Sequence, residues 1–395
     1  MDFLRNVTVL DVSQVLAGPF AAMVLGDLGC DVIKVEPLAG EAMRHSFGDP
    51  AAWGEPPAFL GLNRNKRSIA VNLKSDAGRS VFHRLAARAD VVIQNYRPGV
   101  AERLGIGYAQ LRPLNEGLVY CSISGFGTSG PYAARSGYDM TAQAMSGIMS
   151  VTGEPGGPPC RAGIPVADIG AGLFALSGIL ASLAARRETG RGGLVETNLM
   201  EAALAYGVWE ATQYWFSGEV PTALGSGHRM NAPYQAFRCR DGFVTIGANN
   251  QDTWVRLCEA LGHPEWTADP RFTTAQQRMA HLDALVPAIE ASIADMTKTQ
   301  VEALLERHKI PVGAVRGFHE VLDEAESAED GMVYHAEYDG APVKYLGSPL
   351  RIDGARIRGA GRRPPRLGEH TDEVLRALGL SAGEIGALRA QQAVG

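Results

Sequence analysis

The chain has 395 residues, of which 46% are apolar and 20% are charged, and its formal net charge is −6 at pH 7. Because single hydrophobic cores stop growing at about 250–300 residues, this length predicts two domains. The acidic balance and the lack of any run of five like charges argue against a nucleic-acid binder.

The cysteines and histidines give no pattern typical of a disulfide framework or a metal site. Five scattered cysteines contain no C-x-x-C pair, and the nine histidines contain no H-x-x-x-H spacing. The N-terminus lacks a basic segment followed by an apolar one, so no signal peptide is predicted. We expect a cytoplasmic protein without a bound metal.

Short apolar runs alternate with helix-like segments through the first third of the chain. This alternation predicts βαβ units and a mostly parallel sheet. The predicted strands cover residues 7–12, 32–35, 68–73, 91–93 and 118–123, and the predicted helices cover residues 20–28 and 75–89.

The middle of the chain, residues 140–216, is predicted to be helical. Its apolar stretch 169–185 is shorter than the about 20 residues of a membrane span, so we expect a buried helix. A Gly- and Pro-rich segment at 218–233 ends the predicted helical region, and a smaller α+β domain is predicted after it. Its elements are a hairpin at 234–239 and 243–246 and helices at 253–261, 281–296 and 299–308. The tail then returns to strands at 332–338 and 343–346 and a helix at 371–378.

Asp168, in the segment I-P-V-A-D-I-G-A-G at residues 164–172, is the strongest candidate for chemistry. At the start of an apolar helix, an Asp is a favoured N-cap. It could also be a nucleophile, since an Asp of pKa about 4 is ionised at pH 7 and needs no general base. No G-x-S-x-G or catalytic cysteine signature competes with it.

Two further segments have open interpretations. The glycine-rich S-I-S-G-F-G-T-S-G at residues 122–130 is either an ordinary turn or a loop whose N–H groups hold an oxyanion or a phosphate. The basic cluster N-R-N-K-R-S at residues 63–68, followed by Arg97 and Arg103, suits either a phosphate-bearing ligand or a solvated surface.

Several motifs lie in order along nearly the whole chain. They are L-A-G-P (16–19), G-D-L-G-x-x-V-I-K-V-E-P (26–37), L-N-R-N-K-R-S-I (62–69), N-Y-R-P-G-V-x-x-R-L-G (95–105), Y-C-S-I-S-G-F-G-x-x-G-P (120–131), G-Y-D (137–139), P-V-A-D (165–168) and L-G-E-H-T-D-E-V-L (367–375). Together they resemble the class III CoA-transferases, the CaiB/BaiF family.

The resemblance implies an α/β large domain with a Rossmann-like sheet built from both chain ends, a small domain and an interlocked homodimer. The corresponding ranges are 1–217 for the large domain, 218–330 for the small α+β domain, and 331–395 for the returning segment. A coenzyme A thioester is then a substrate, and no permanently bound cofactor, nucleic acid or membrane is implied.

The resemblance also assigns residues. Asp168 matches the family's catalytic aspartate, and Gly225, Ser226, Gly227 and His228 fall where some members carry a mobile glycine loop. The positions that match CoA contacts are Leu16, Ala17, Val71, Asn72, Leu73, Lys74, Asn95, Tyr96, Arg97, Arg103, Gly137, Tyr138 and Asp139.

Two residues that differ from the family pattern, and a comparison with the family's racemases, narrow the range of expected activities. Leu16 and Pro37 stand where formate-transferring members carry Gln and Arg, which disfavours formyl or oxalyl substrates. The 2-methylacyl-CoA racemases of the same family pair the Asp with a His, and Tyr138 replaces that His; a phenol of pKa about 10 is a poor base. A non-catalytic acyl-CoA-binding protein is the second alternative.

The expected reaction therefore moves CoA from a donor such as succinyl-CoA to a small dicarboxylic acid. Residues 225–237 resemble members that use succinyl-CoA and small dicarboxylic acids. We expect Arg44, His45 or His228 to bind the distal carboxylate, because cations in these segments suit carboxylate recognition.

Overall fold

The computed structural model describes residues 3–46, 54–328, 331–338 and 340–395. The chain divides into two compact units. The first contains both chain ends and consists of Met1–Met149, Arg161–Glu219 and Ala325–Gly395; the second consists of Ser150–Cys160 and Val220–Glu324. The second unit includes residues 150–160, which the sequence analysis placed in the large domain.

A six-stranded parallel sheet forms the centre of the first unit, in the order β3-β2-β1-β4-β5-β6. This confirms the predicted α/β class with a mostly parallel sheet. The prediction missed β6, which forms an edge with only one fully buried residue and so lacks a continuous apolar run. The strands are β1 (Thr8–Asp11), β2 (Asp31–Glu36), β3 (Lys66–Ala70), β4 (Val91–Gln94), β5 (Val119–Ser124) and β6 (Gly193–Asn198).

The second unit contains a three-stranded antiparallel sheet, and short hairpins follow in the first unit. Trp254, Phe237 and Phe272 are buried in the core of the second unit. The strands are β7 (Tyr234–Cys239), β8 (Gly242–Gly247) and β9 (Val312–Ala314) in that sheet, then β10 (Val333–Tyr338) with β11 (Ala341–Leu346), and β12 (Arg351–Ile352) with β13 (Ala355–Arg356).

Helices cover both units, and the individually predicted ones agree with the structure to within a few residues. The predicted helical stretch 140–216 is interrupted at residues 152–165 and by β6, and several short helices and the last were not predicted. In chain order they are α1 (Ala17–Asp27), α2 (Met43–Ser46), α3 (Pro57–Leu62), α4 (Asp76–Ala86), α5 (Val100–Arg103), α6 (Tyr108–Leu111), α7 (Asp139–Met145), α8 (Ile148–Val151), α9 (Val166–Thr189), α10 (Leu199–Ala205), α11 (Val208–Ser217), α12 (Gln251–Ala260), α13 (Ala275–Ala280), α14 (Leu282–Ile293), α15 (Lys298–Arg307), α16 (Phe318–Ser327), α17 (Thr371–Ala377) and α18 (Ala382–Ala390).

Helix α9 is the predicted apolar helix, and one of its faces is buried. Ala167, Ala171 and Ala175 recur every four residues on that face, which packs against α1 and the sheet. Gly172 permits the close contact with α1, since a Cβ there would lie 2.8 Å from the carbonyl oxygen of Ala17. By length and composition, α9 is also the one described helix that could cross a membrane, a test that buried core helices pass as well.

The strand order places a crevice above β1 and β4. The chain runs from β1 outward through β2 and β3, then returns to β4 and runs the other way through β5 and β6. At such a reversal the loops after the two central strands separate, and ligands of open α/β sheets bind there, at the carboxyl ends of the strands.

Candidate active site

A cavity of about 350 Å³ opens at this crevice. Its walls come from the loops after β1 and β4, the end of β5, the segment before α7 and the first turn of α9. Sites for small molecules are commonly of this size. The lining residues are Gln14, Val15, Leu16, Asn95, Tyr96, Arg97, Pro98, Val100, Ile123, Ser124, Gly125, Arg135, Ser136, Gly137, Tyr138, Asp168 and Leu199.

The two loops after the central strands are joined by a reciprocal pair of hydrogen bonds. The backbone N–H of Gln14 donates to Asn95 Oδ1, and Asn95 Nδ2 donates to the carbonyl of Gln14, both at 2.7 Å. Next to this pair, Val15 has a φ of 65°, a conformation that β-branched residues rarely adopt. The carboxylate of Glu41 accepts the Val15 N–H at 2.8 Å and holds the backbone there.

Glu41 belongs to a buried charge network that reaches the cavity wall through Val15. Lys34 Nζ lies 2.7 Å from Glu41 Oε1 and 3.9 Å from Asp11 Oδ2, and Lys66 Nζ lies 2.8 Å from the same Asp11 oxygen. Burial alone raises the pKa of Asp11, but Lys66 and Lys34 outweigh it, so the net shift is downward. The network is fully internal, so it fixes the loop and leaves none of these charges for a ligand.

The basic cluster at residues 63–68 therefore has neither of its expected roles. Arg64 is buried and donates to both carboxylate oxygens of Asp27. Arg67 pairs with Asp31 and Glu373. These guanidinium groups connect β3 and the residues just before it to neighbouring elements, because ionic groups inside a fold must be paired.

Asp168 is the third residue of α9, and among the described residues that line the cavity it is the one acidic residue. Of its two interpretations, the one as a helix cap is contradicted, because the N-cap position is occupied by Pro165, which has no capping side chain. Asp139, from the first residue of α7, takes that role instead. Its Oδ1 accepts the N–H of Ala167 at 2.9 Å and that of Asp168 at 3.3 Å. The Asp168 carboxylate therefore does not cap the helix, and it faces the cavity.

The protonation state of Asp168 also differs from the expectation. Burial, followed by the negative charge of Asp139, raises the pKa of Asp168 from 3.8 to about 7. Its carboxylate accepts no hydrogen bond within the described part of the chain, so nothing local offsets the loss of water. In the free protein, Asp168 is therefore partly protonated at neutral pH, and a pKa this far displaced is typical of functional carboxyls in clefts.

Glycines let the backbone approach the same cavity. Gly125 and Gly137 face each other so closely that a Cβ on Gly125 would lie 2.7 Å from the Cα of Gly137. Among the N–H groups expected to hold an oxyanion, that of Gly127 donates to Ser124 Oγ at 2.9 Å. In the segment matched to a mobile glycine loop, the N–H groups of Gly225 and Gly227 donate to the carbonyls of Gly153 and Leu224. Gly125 is the member of this set that lines the cavity.

The structure brings together about half of the residues matched to CoA contacts. Leu16, Asn95, Tyr96, Arg97, Gly137 and Tyr138 line the cavity with Asp168, and Ala17 and Asp139 adjoin it. Residues 71–74 do not line it: Val71 pairs with Val394, and Asn72 donates to the carbonyl of Gln392. Arg103, at the end of α5, is exposed outside the cavity.

The residues expected to bind the distal carboxylate are not among the described residues that line the cavity. Arg44 is buried and donates to Glu36, Glu55 and the carbonyl of Pro365, with Phe59 3.8 Å from its guanidinium. This geometry favours a structural role for Arg44. His45 is exposed and contacts the carbonyl of Ala39. Residues 225–228 belong to the second unit, where the ring of His228 stacks on that of Tyr234 at 5.1 Å.

Several lining residues were not singled out from the sequence. Gln14 and Val15 follow directly after a predicted strand, so the rule that parallel strands present their carboxyl ends to a ligand could have found them. Arg135 and Ser136 precede the G-Y-D motif, whereas Leu199 depends on the unpredicted β6. Within the described residues, no group of three or more His, Cys, Asp or Glu could hold a metal ion.

Comparisons with known proteins identify the family to which the chain belongs. The model of CoA-transferase family III matches residues 4–371. Succinyl-CoA:glutarate CoA-transferase of Mus musculus is 37% identical over 377 residues, which cover 95% of this chain and 86% of that protein. Succinate--glutarate CoA-transferase of Agrobacterium fabrum is 35% identical over 382 residues, covering 95% of each chain.

Among solved structures, a CaiB/BaiF family protein from Brucella suis is similar throughout. The TM-score is 0.83 at 34% identity, and the match covers 94% of this chain and 98% of that one. The resemblance drawn from the motifs is thereby confirmed. The chain belongs to CoA-transferase family III and is an enzyme of the CoA-transferase type, which takes CoA thioesters as substrates.

Proposed function

We propose that this enzyme transfers CoA from succinyl-CoA to a small dicarboxylic acid through an aspartyl-CoA thioester on Asp168. The observation that carries the proposal is a single carboxylate of raised pKa, placed on a helix start in a cavity at the carboxyl edge of the sheet. The relatives that act on succinyl-CoA and glutarate support the substrate class.

The reaction balances without a further reagent. An Asp168 oxygen attacks the donor thioester carbon, which gives a mixed anhydride and CoA thiolate. The thiolate attacks the aspartyl carbonyl, so that succinate leaves and the aspartyl-CoA thioester forms. The acceptor carboxylate then attacks this thioester and releases CoA thiolate, which finally attacks the acyl carbonyl of the new anhydride and regenerates Asp168.

The site geometry supports Asp168 as the nucleophile in this sequence. Only its ionised form attacks, so the raised pKa makes the first step depend on pH near neutrality. The low hydration that raises the pKa also keeps the anion poorly solvated and therefore reactive. The first turn of α9 gives it a fixed position, and holding CoA in the site throughout converts each return attack into an intramolecular step.

The acceptor is proposed to be a dicarboxylate of the glutarate, malate, itaconate or mesaconate kind. Because Arg44 is fully engaged with Glu36 and Glu55, we keep His228 and His45 as the proposed ligands of the distal carboxylate. Replacing each His by Ala is expected to raise the KM for glutarate but not that for succinyl-CoA. Unchanged KM values in both variants would contradict this assignment.

A homodimer is proposed because α11 exposes a large apolar surface. Trp215 and Phe216 are 79% and 93% exposed, and Val208, Trp209 and Tyr214 of the same helix are also exposed. Monomeric proteins rarely leave such contiguous patches uncovered. Light scattering after size exclusion should give a mass of twice 42.0 kDa, and Trp215→Glu should shift it toward the monomer.

The chemistry is tested by trapping. Incubation with succinyl-CoA followed by hydroxylamine should label Asp168, seen by mass spectrometry, and Asp168→Asn should show no label. Succinyl-CoA is then assayed against a panel of mono- and dicarboxylic acids, where transfer to dicarboxylates is expected to dominate. Deuterium entering the α-position of a branched acyl-CoA would indicate the racemase alternative, and binding without any adduct would indicate the non-catalytic one.

A further inference from the structure

Gln143 is a fully buried amide one helical turn after Asp139 on α7. It is absent from the cavity lining, and no sequence motif drew attention to it. Buried amides need partners for both ends, and those of Gln143 all lead toward the start of α9.

The amide joins three groups that surround the catalytic turn. Its Nε2 donates to Asp139 Oδ2 at 2.6 Å and approaches the carbonyl of Ile164 at 3.5 Å. Its Oε1 accepts the N–H of Ala162 at 2.9 Å. One side chain therefore connects α7 with the segment that leads into α9.

Asp139 carries the connection on to Asp168. Its other oxygen, Oδ1, accepts the N–H groups of Ala167 and Asp168. Since the N-cap Pro165 offers no side-chain acceptor, these two donors depend on Asp139 for their partner. With Oδ2 held by Gln143, the Asp139 carboxylate has only one orientation that satisfies all of its donors.

We propose that Gln143 is a positioning residue that locks the Asp139 carboxylate onto the first turn of α9 and so orients Asp168 for attack. The proposal rests on the proposed function of Asp168 as nucleophile. It adds a residue that touches no substrate and acts through Asp139.

The informative variant is Gln143→Glu. A carboxylate at this position can still accept the Ala162 N–H, but in its ionised form it replaces the donor to Asp139 by a second acceptor of like charge. Gln143→Met removes the hydrogen bonds of both Nε2 and Oε1 while keeping a side chain of similar volume. Gln110→Glu, on an exposed glutamine of α6, is the matched control for the added charge.

Three results are expected for Gln143→Glu. The rate constant for adduct formation with succinyl-CoA falls at least tenfold, while the Kd for CoA changes less than threefold. The acid limb of the kcat/KM profile moves to higher pH, because a second anion near Asp168 disfavours its ionised form. Amide hydrogen exchange at Ala167 and Asp168 becomes at least tenfold faster, a readout that needs no turnover. Gln110→Glu should match wild type in all three.

A double variant tests the direction of the hydrogen bond. In Asp139→Asn combined with Gln143→Glu, the Asn amide donates to the Glu carboxylate, and the Asn carbonyl still accepts from the α9 turn. Exchange protection should return toward wild type, and the adduct rate should exceed that of Gln143→Glu alone. A purely structural role would instead lower the folded fraction and leave the rate per folded molecule unchanged.

Failure of this inference is distinct from failure of the proposed function. If wild type forms no adduct, the proposed function is wrong, and the exchange data alone then decide whether Gln143 orders the turn. If wild type forms the adduct and both Gln143 variants match it in rate, pH profile and exchange, the positioning role is refuted.

Discussion

Replacing Asp168 by Asn should stabilise the protein while it abolishes turnover. Burial and the charge of Asp139 raise the pKa of this carboxyl from 3.8 to about 7 in the folded state. Between these two pH values the folded chain binds more protons than the unfolded one, so the free energy of unfolding falls as pH rises. The loss of stability caused by the Asp168 carboxyl is complete above about pH 7. It disappears below about pH 4, where the carboxyl is protonated in both the folded and the unfolded chain.

The expected stabilisation by Asp168→Asn follows from the size of the pKa shift of Asp168. A change from 3.8 to about 7 is about 3 pKa units, and each unit corresponds to about 1.4 kcal/mol, so the ionised carboxyl costs about 4 kcal/mol. The side chain keeps some contact with water, which reduces the expected gain of Asp168→Asn at pH 8 to about 2–4 kcal/mol. The amide retains the size and shape of the carboxyl, so packing is preserved.

Urea unfolding of both proteins at one protein concentration, over about pH 4 to 8, measures this difference. Amide exchange along α9 assigns the gain to the first unit. Asp283→Asn removes an exposed carboxylate from the first turn of α14 and serves as control; it should change stability by less than about 0.5 kcal/mol. If Asp168→Asn were no more stable than wild type at pH 8, or if its gain did not shrink toward pH 4, the raised pKa would be refuted.

The same pKa predicts that kcat/KM rises with pH to a plateau with a midpoint near 7, which initial rates across pH would measure; a flat profile down to about pH 5 would contradict it. Gly125→Ala should abolish turnover or folding, because its Cβ would meet the facing glycine backbone at 2.7 Å, whereas Gly163→Ala, with open space around it, should be near wild type in activity and thermal unfolding. Glu41→Gln should cost about 3–5 kcal/mol in urea unfolding, because Lys34 loses its 2.7 Å partner. The same variant should raise the KM for succinyl-CoA, because the Val15 N–H loses its carboxylate acceptor. An unchanged free energy of unfolding would show that the network does not hold this loop.

The amino-acid sequence was most informative where periodicity and order carry the signal. The first five strands of the sheet and helices α1, α4 and α9 were predicted, because buried parallel strands form short apolar runs between amphipathic segments. The edge strand β6 was not predicted, since its residues alternate between exposed and half-buried and form no apolar run. The three-residue β9 was too short for any periodicity.

The partners of the cationic side chains were the feature that the sequence predicted least well. Arg44, Arg64 and Lys66 are residue types that suit a ligand site, but the structure pairs each of them with a buried acid. Arg44 pairs with Glu36, eight positions away, Arg64 with Asp27, 37 positions away, and Lys66 with Asp11, 55 positions away. Whether a cation meets solvent, a ligand or a buried carboxylate depends on long-range packing, and no local pattern encodes it.

For the proposed nucleophile, the sequence by itself singled out Asp168, which lies in an ordered set of family motifs ahead of an apolar helix. The tertiary structure decided its state. Folding brings Asp139 from a different helix onto the first turn of α9, so that Asp139 caps the helix in place of Asp168. The same approach removes water and adds a neighbouring negative charge, which raises the pKa of Asp168 to about 7. Proton affinity depends on the distance between groups far apart in the chain, and only the fold sets that distance.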